Sequence, residues 1–290
     1  MKSISLKSPA KVNLFLNVLS RRPDGYHNIE TLFERVDLCD EVILSKSKNG
    51  INIICDNTDV PADENNLIYK AVKSLQARLD VTLDVEIVLK KNIPVAGGLG
   101  GGSGNAATAL MGLNNLFDLG LNRADLIVIG RKLGADVPFF LIDESFAIGT
   151  EIGDALEPVP CDLKLWHVMV SPALKVPTKD IYARLDLNLT EDSPDVKILI
   201  TSLKNGDLDS LKRQLYNRLQ SVILKEHKEV RKIKSLLSDI GLDREVLVSG
   251  SGPTIFFIAK NREEAMSLKE KAENIVSLGE GTRVFVASTL

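Results

Sequence analysis

The sequence predicts an α+β protein of two domains with a cleft between them. Short strand-like runs dominate the start of the chain, a glycine cluster lies between a strand and a helix near its middle, and helices alternate with strands towards its end. A stretch rich in proline and acid at 157–160 separates the two parts. We therefore expect an N-terminal domain over 1–158 and a C-terminal domain over 159–290.

The first domain begins with strands and continues with a helix and a further strand. Runs rich in β-branched and large apolar residues predict strands at 12–18, 41–44 and 51–54. Apolar residues at helical spacing predict a helix over 66–79, and strict alternation of apolar and polar residues predicts a strand over 81–89.

The remaining elements follow the glycine cluster. Two helices are predicted at 105–117 and 123–133. The second domain is predicted to contain a strand at 165–170, mostly helix over 210–240, strands at 245–248 and 255–259, a helix at 262–272 and a strand at 283–287. The closing order of helix, strand, strand, helix and strand is typical of a small α+β sandwich of the split β-α-β kind.

Composition excludes several classes of protein. The 290 residues are 44% apolar and 26% charged, with a net charge of −3, so no global basic field favours nucleic acid or anionic membranes. No apolar run approaches the roughly 18 residues of a membrane helix, and the first residues lack the apolar core of a signal peptide. Three distant cysteines indicate reduced thiols rather than disulfides or zinc. We expect a cytoplasmic protein, either a monomer or a dimer.

The glycine cluster at 97–104 indicates a phosphate site. Its six glycines let the backbone adopt positive φ and expose its N–H groups, and the helix that follows adds unpaired N–H donors and a partial positive charge. A flexible linker is the structural alternative. A Walker A loop is excluded because no Gly-Lys-Ser/Thr follows, and the dinucleotide pattern fits weakly because a second helix, not a strand, comes next.

Three parts of the chain resemble the motifs of the GHMP kinases. Residues 94–103 read Pro-x-x-x-Gly-Leu-Gly-x-x-Ser, which is similar to the second motif of that family. The segments 8–14 and 22–27 resemble the first motif and substrate loop of one branch, and 249–254 resembles the third motif. The resemblance covers almost the whole chain, and Asp-Gly-Tyr-His at 24–27 separates this branch from its relatives.

The resemblance implies a fold and an activity. The expected fold has an N-terminal ATP-binding domain and a smaller ferredoxin-like C-terminal domain on the substrate side, with the active site in the cleft. The expected reaction is ATP-dependent phosphorylation, with Mg²⁺, of the 2-hydroxyl of a cytidine diphosphate-linked methylerythritol, a step of non-mevalonate isoprenoid precursor synthesis. ATP and this small molecule are the expected partners.

Two residues match the catalytic positions of the family. Asp136 follows a helix and precedes an apolar run, where it could equally be a turn-stabilising aspartate. The resemblance makes it the general base or hydroxyl-orienting acceptor. Lys11, which could be a surface lysine covering apolar neighbours, becomes the cation that stabilises developing negative charge.

Four residues match positions that contact the substrate. The resemblance places the cytosine near Tyr26 and His27, with Tyr182 covering its other face, and Asn13 near the reacting end. Without the resemblance, Tyr26 and His27 would more often be exposed loop residues.

The ATP side is expected to include the glycine segment, defined here as residues 94–104. Its members are Pro94, Val95, Ala96, Gly97, Gly98, Leu99, Gly100, Gly101, Gly102, Ser103 and Gly104. Asn66, Lys91 and Pro94 are candidates for the adenine side, although Asn66 could instead cap its helix. Related sequences usually have serine where this chain has Gly104, so Ser103, Thr108 or water could supply the missing hydroxyl. We leave the metal ligands unassigned.

Two other functions fit the same sequence. The chain could be another GHMP kinase with a different acceptor, which would not need aromatic rings around a base. It could also be a non-catalytic ligand sensor, although the presence of both Lys11 and Asp136 argues against this.

Overall fold

The structure is a computed structural model, and it describes residues 2–187, 193–238, 246–276 and 281–290. The end of the helix predicted over 210–240 and the start of the strand predicted over 245–248 lie outside these residues. Across the described ranges, no helix has the length and apolar character needed to cross a membrane.

The described elements are numbered in chain order. The strands are β1 (Ser3–Arg21), β2 (His27–Lys46), β3 (Ile51–Cys55), β4 (Val85–Lys90), β5 (Phe146–Thr150), β6 (Ala155–Pro158), β7 (Trp166–Ser171), β8 (Tyr216–Asn217), β9 (Leu247–Val248), β10 (Ile255–Ala259) and β11 (Arg283–Ser288). The helices are α1 (Leu67–Leu79), α2 (Gly101–Phe117), α3 (Arg123–Leu133), α4 (Thr178–Ala183), α5 (Val196–Asn205), α6 (Leu208–Arg213), α7 (Gln220–Glu226), α8 (Lys228–Leu237) and α9 (Arg262–Val276), with a 3-10 helix at Pro138–Leu141.

The chain packs into two compact units that are discontinuous in sequence. Unit 1 contains the described residues of Met1–Ala10, Leu38–Val95 and Gly100–Asp143. Unit 2 contains those of Lys11–Asp37, Ala96–Leu99 and Glu144–Leu290. Strands β1 and β2 each contribute residues to both units, so the packing units differ from the predicted domains 1–158 and 159–290. The boundary at 158 stays a prediction about the sequence.

Unit 1 places helices beside a small sheet. Strand β4 pairs antiparallel with the end of β2 and parallel with β3. Its alternating residues Val85, Ile87 and Leu89 are buried, as the sequence pattern predicts. Helix α2 approaches the sheet closely, because a Cβ at Gly112 would lie 2.6 Å from the side chain of Leu44.

Unit 2 contains a four-stranded antiparallel sheet in the order β11-β7-β10-β9. In chain order this sheet reads strand, helices, strand, strand, helix, strand, so the predicted split β-α-β arrangement is confirmed. Buried residues such as Val168 and Phe257 belong to the same core as Ile223 and Val230 from the helices. The first part of β2 pairs with β5, and β1 pairs in parallel with β8.

Two predicted element boundaries in unit 1 are wrong. The strand predicted over 81–89 begins at Val85. Opposite this residue, β2 ends at Lys46 and β3 begins at Ile51, so the residues before Val85 have no strand to pair with. The helix predicted from 105 begins at Gly101, inside the glycine segment. Glycine has weak helix propensity, so the periodicity shows the helix only from its first larger residues.

The helix predicted over 210–240 is interrupted in the described part. Residues 216–217 leave the helix to pair with Phe15 and Leu16 of β1, and the Asn217 side chain accepts a hydrogen bond from Leu219 N at 2.9 Å. Helix α7 then ends at Glu226 and α8 starts at Lys228, with His227 in an extended conformation between them. Tertiary pairing therefore overrides the helical pattern here.

Candidate active site

Lys11 is enclosed within unit 2. Its residue exposure is 4%, so the alternative of a surface lysine is wrong. The Lys11 Nζ atom donates to Asn13 Oδ1 at 2.7 Å and lies 5.4 Å from the centre of the Phe33 ring. Asn13 Nδ2 in turn donates to Thr31 Oγ1 at 2.8 Å. This chain of bonds sets both the position of the ammonium group and the orientation of the Asn13 amide.

Part of the glycine segment packs against the loop at 249–254, here called the third-motif loop, near Lys11. Ser249 Oγ donates to the Gly98 carbonyl oxygen at 3.1 Å. Gly98 has a φ of +76°, and a Cβ there would lie 2.3 Å from the Ser249 carbonyl oxygen, so no larger residue fits. A Cβ at Gly250 would lie 3.4 Å from Lys11 Nζ. Parts of all three motifs thus meet around one ammonium group in unit 2.

Asn217 holds the third-motif loop, a role that the sequence analysis missed. Its Nδ2 atom donates to the carbonyl oxygens of Val248 and Gly250, both at 2.7 Å. Its Oδ1 atom accepts from Leu219 N. The residue lies inside a stretch predicted as helix, so no local signal distinguished it.

The other part of the glycine segment forms the start of helix α2 in unit 1. Gly100 is the N-cap with a φ of 67°, and no side chain caps the helix. Backbone N–H groups in the first turn of a helix have no acceptor within the helix, and the helix dipole makes this end attractive to anions. Ser103 lies in this turn and is partly exposed. The arrangement suits phosphate oxygens.

Gly104 allows a close approach between α2 and β1. A Cβ at this position would lie 2.6 Å from the Pro9 carbonyl oxygen and 3.3 Å from Ser8 Oγ. A serine here would force the helix away from the strand. The absence of a side chain at Gly104 therefore allows α2 and β1 to pack this closely.

Two of the three candidates for the adenine side, Asn66 and Lys91, have structural partners in unit 1. Asn66 caps α1 by accepting from Ile68 N at 2.8 Å, and its Nδ2 atom donates to the Pro61 carbonyl oxygen at 2.7 Å. The contacts of Asn66 are therefore those of a helix cap, the alternative given above. Lys91 pairs with the buried carboxylate of Asp40 through its ammonium group, which also donates to Asn105 Oδ1 at 3.1 Å.

Asp136 belongs to unit 1 and lies in the turn between α3 and the 3-10 helix. The turn is closed by a hydrogen bond from Val137 N to the Gly134 carbonyl oxygen at 3.1 Å. Val137 and Phe139 on its far side are fully buried, which fixes the backbone, whereas Asp136 itself is partly exposed. A partly exposed carboxylate on a rigid turn can accept a proton or orient a hydroxyl group.

The predicted base-binding residues are brought together in part. The His27 and Tyr182 rings lie in contact within unit 2, with centroids 5.3 Å apart and planes inclined by 35°. Tyr26 is 60% exposed, at the tip of a turn in which its backbone N donates to Asp24 Oδ1 at 3.0 Å. Partial burial lowers the pKa of His27, and the positive charge of Arg21 lowers that pKa further.

Comparisons with known proteins agree along the chain. The model of the GHMP kinases N terminal domain matches residues 66–144, and that of the GHMP kinases C terminal domain matches residues 199–276. A 4-diphosphocytidyl-2-C-methyl-D-erythritol kinase of Exiguobacterium sibiricum is 42% identical, with 92% of each chain covered. The protein of the same name from Alkaliphilus oremlandii is 39% identical over 93% of this chain and 92% of that protein.

Solved structures show the same fold. A crystal structure of 4-(cytidine 5'-diphospho)-2C-methyl-D-erythritol kinase matches with a TM-score of 0.82 and 29% identity, covering 98% of both chains. Homoserine kinase from Cytophaga hutchinsonii matches with a TM-score of 0.77, covering 100% of this chain and 95% of that one. Its identity is 22%, so this second match supports the fold alone.

Proposed function

The chain belongs to the GHMP kinase family, and we propose that it transfers the γ-phosphoryl group of ATP to the 2-hydroxyl of 4-diphosphocytidyl-2-C-methyl-D-erythritol. The single observation that carries this proposal is the 42% identity to a kinase of that name along 92% of both chains. The products are the 2-phosphate and ADP. This reaction belongs to the non-mevalonate route to isoprenoid precursors, and we propose that it takes place in the cytoplasm.

Lys11 is the electrostatic catalyst in this proposal. Its ammonium group is buried and donates to Asn13, which fixes the position of its positive charge. A fixed cation stabilises charge that develops on the transferred phosphoryl group, and burial strengthens the effect because little water screens it. Asn13, next to this cation, contacts the substrate near its reacting end.

Asp136 orients the 2-hydroxyl group and accepts its proton. Phosphoryl transfer has a loose transition state, so the attacking oxygen needs positioning more than strong deprotonation. A carboxylate on a rigid turn meets that need.

The glycine segment binds the triphosphate, and Mg²⁺ accompanies the nucleotide. Among the described residues, no three acidic, histidine or cysteine side chains form a group that could hold a metal. Mg²⁺ commonly takes only one or two protein ligands and completes its shell with phosphate oxygens and water. Ser103, Thr108 or water could supply a ligand from the chain, and the ion would neutralise phosphate charge when bound.

The cytosine is recognised by aromatic side chains on unit 2. Stacking of a base on an aromatic ring contributes about 1–3 kcal/mol in single-strand nucleic-acid binders. His27 and Tyr182 already lie together, and the lowered pKa of His27 keeps its ring neutral, with one donor and one acceptor for the edge of the base. Exposed Tyr26 is the second stacking ring.

The test is ADP release from purified protein with ATP, Mg²⁺ and the cytidyl substrate, with mevalonate and homoserine as alternative acceptors. Turnover should require the cytidyl substrate and fall by about 10²–10⁴-fold in Asp136→Ala, the range for loss of a general base. Asp143→Ala is the matched control, because Asp143 is an exposed aspartate at the other side of the same 3-10 helix, paired with Arg123. Wild-type turnover of another acceptor in place of the cytidyl substrate would overturn the substrate assignment.

A further inference from the structure

Asp40, in the second half of β2, has no role in the proposed mechanism, yet its carboxylate accepts four hydrogen bonds. Its Oδ1 atom accepts from the backbone N–H groups of Asn92 and Ile93 at 2.7 and 2.8 Å. Its Oδ2 atom accepts from Asn105 Nδ2 at 2.9 Å and from the Lys91 ammonium group. The residue is 1% exposed.

These donors come from the two ends of the glycine segment. Lys91, Asn92 and Ile93 immediately precede Pro94, where the segment begins. Asn105 immediately follows Gly104, where it ends. Asn105 also accepts from Lys91 Nζ at 3.1 Å and donates to Ser8 Oγ at 2.9 Å. Three side chains therefore form a closed ring of hydrogen bonds across the base of the segment.

The ion pair within this ring contributes little net free energy to folding, because both of its charges are buried. The side chains of Lys91 and Asp40 are 5% and 0% exposed. Desolvation of two buried charges commonly cancels their attraction, whereas removal of one partner leaves the other charge uncompensated. The main effect of this ion pair is therefore geometric: it helps to fix the distance between the two ends of the glycine segment.

We propose that Asp40 is a positioning residue for ATP binding, which acts by tying the entry of the glycine segment to the first turns of α2. The inference rests on the proposed ATP-dependent function. The backbone N–H groups between these ends can converge on phosphate oxygens only if the ends keep their spacing. Lys91 belongs to this tie through Asp40 and Asn105 and does not bind the adenine.

The test measures the KM for ATP, kcat and the KM for the acceptor in Asp40→Asn. The new amide nitrogen would face the Lys91 ammonium and the Asn105 amide, so donors would meet donors. The KM for ATP should rise about tenfold, with kcat and the acceptor KM changed less than threefold. In Asp40→Asn combined with Lys91→Met, the Asn105 amide can rotate and accept from the new amide, and the KM for ATP should return to within about threefold of wild type.

Glu34→Gln is the matched control. Glu34 is another fully buried carboxylate on β2, which accepts from Thr289 Oγ1 at 2.6 Å and contacts His167, but it has no described contact with the glycine segment. Its substitution should lower the thermal midpoint and leave the KM for ATP unchanged. An equal rise in the KM for ATP in this control would overturn the proposal, because the effect would then be one of general destabilisation.

Two further outcomes are decisive. The proposal would be overturned if the KM for ATP were unchanged in Asp40→Asn. It would also be overturned if the KM for ATP rose tenfold in Lys91→Met alone and stayed raised in the double variant, because Lys91 would then bind the nucleotide directly. Calorimetric titration with Mg²⁺ and a non-hydrolysable ATP analogue needs no acceptor. Tenfold weaker binding of the analogue by Asp40→Asn would support the role of Asp40, whether or not the wild type phosphorylates the cytidyl substrate. Failure of the wild type to phosphorylate that substrate would overturn the proposed function alone.

Discussion

The two units each anchor a glycine-rich part of the chain with one short polar side chain, but with opposite chemistry. In unit 1, the carboxylate of Asp40 accepts from backbone N–H groups and side-chain donors at the ends of the glycine segment. In unit 2, the amide of Asn217 donates to two carbonyl oxygens of the third-motif loop. Both residues are buried, and both connect segments that are distant in sequence.

The difference follows from the backbone groups that each segment presents. Where N–H groups face inward, a carboxylate satisfies the most donors because it carries about four lone-pair sites and no proton. Where carbonyl groups face inward, an amide is needed because a carboxylate has nothing to donate. Aspartate and asparagine have nearly the same shape, so exchange of one for the other at either anchor tests chemistry rather than packing.

The largest expected effect comes from the close contact beside the unit 2 anchor. In Gly98→Ala, left-handed strain of about 1–2 kcal/mol adds to a clash with the Ser249 carbonyl oxygen, so the free energy of unfolding should fall by about 3 kcal/mol. Urea unfolding measures this. Gly206→Ala is the control, because Gly206 has a similar φ of +69° with nothing within 4 Å, and should lose only about 1 kcal/mol. Equal losses would show that the contact with Ser249 does not matter.

A smaller effect is expected from the isosteric change at the unit 2 anchor itself. Asn217→Asp leaves the Val248 and Gly250 carbonyl oxygens facing a carboxylate, so it should lower the free energy of unfolding by about 2 kcal/mol. Asn217→Ala should cost a similar amount, since it also leaves these carbonyls without a donor. Urea midpoints of both variants measure the effect. If the aspartate variant were as stable as wild type, donation by Asn217 would not be what holds the loop.

The smallest expected effect is a pH dependence of stability that arises from His27 in unit 2. Burial lowers the pKa of His27 in the folded state below its ordinary value of 6.5. Between that lowered pKa and 6.5 the unfolded chain binds more protons, so stability should fall as the pH falls through this window. The thermal midpoint of wild type should therefore fall relative to that of His27→Gln as the pH is lowered from 7 to 5. A difference that stays constant over this range would contradict the lowered pKa.

Elements with strong local signals could be predicted from the sequence. Helix α3 has the predicted bounds, because Asn122 and Asp125 form a capping box at its start and Gly134 ends it. Strand β10 also has the predicted bounds, because it is a short and wholly buried apolar run. Helix α5 was missed although Asp195 caps its start and Gly206, in the left-handed conformation, ends it.

The anchors could not be predicted because their partners are distant in sequence. Asp40 lies 51 to 65 residues from the groups that it binds, and Asn217 lies about thirty residues from its carbonyl partners. Lys11 was found through the resemblance to known kinases, whereas the glycine cluster indicated a phosphate site by its own position between a strand and a helix. Their local patterns alone left a surface lysine and a flexible linker as alternatives. A polar residue in a strand carries no signal of which backbone groups will face it.

The central claim is that Lys11 acts on the chemical step, whereas the anchor at Asp40 acts on ATP binding. Single-turnover rapid-quench measurements, with the enzyme in excess over the cytidyl substrate and Mg²⁺-ATP saturating, separate the two most directly. The account predicts that Lys11→Met slows phosphoryl transfer by about 10²–10³-fold, the size of losing one electrostatic contact to the transition state, while Asp40→Asn transfers within about threefold of wild type. Transfer by Lys11→Met at the wild-type rate, or equal slowing in both variants, would contradict it.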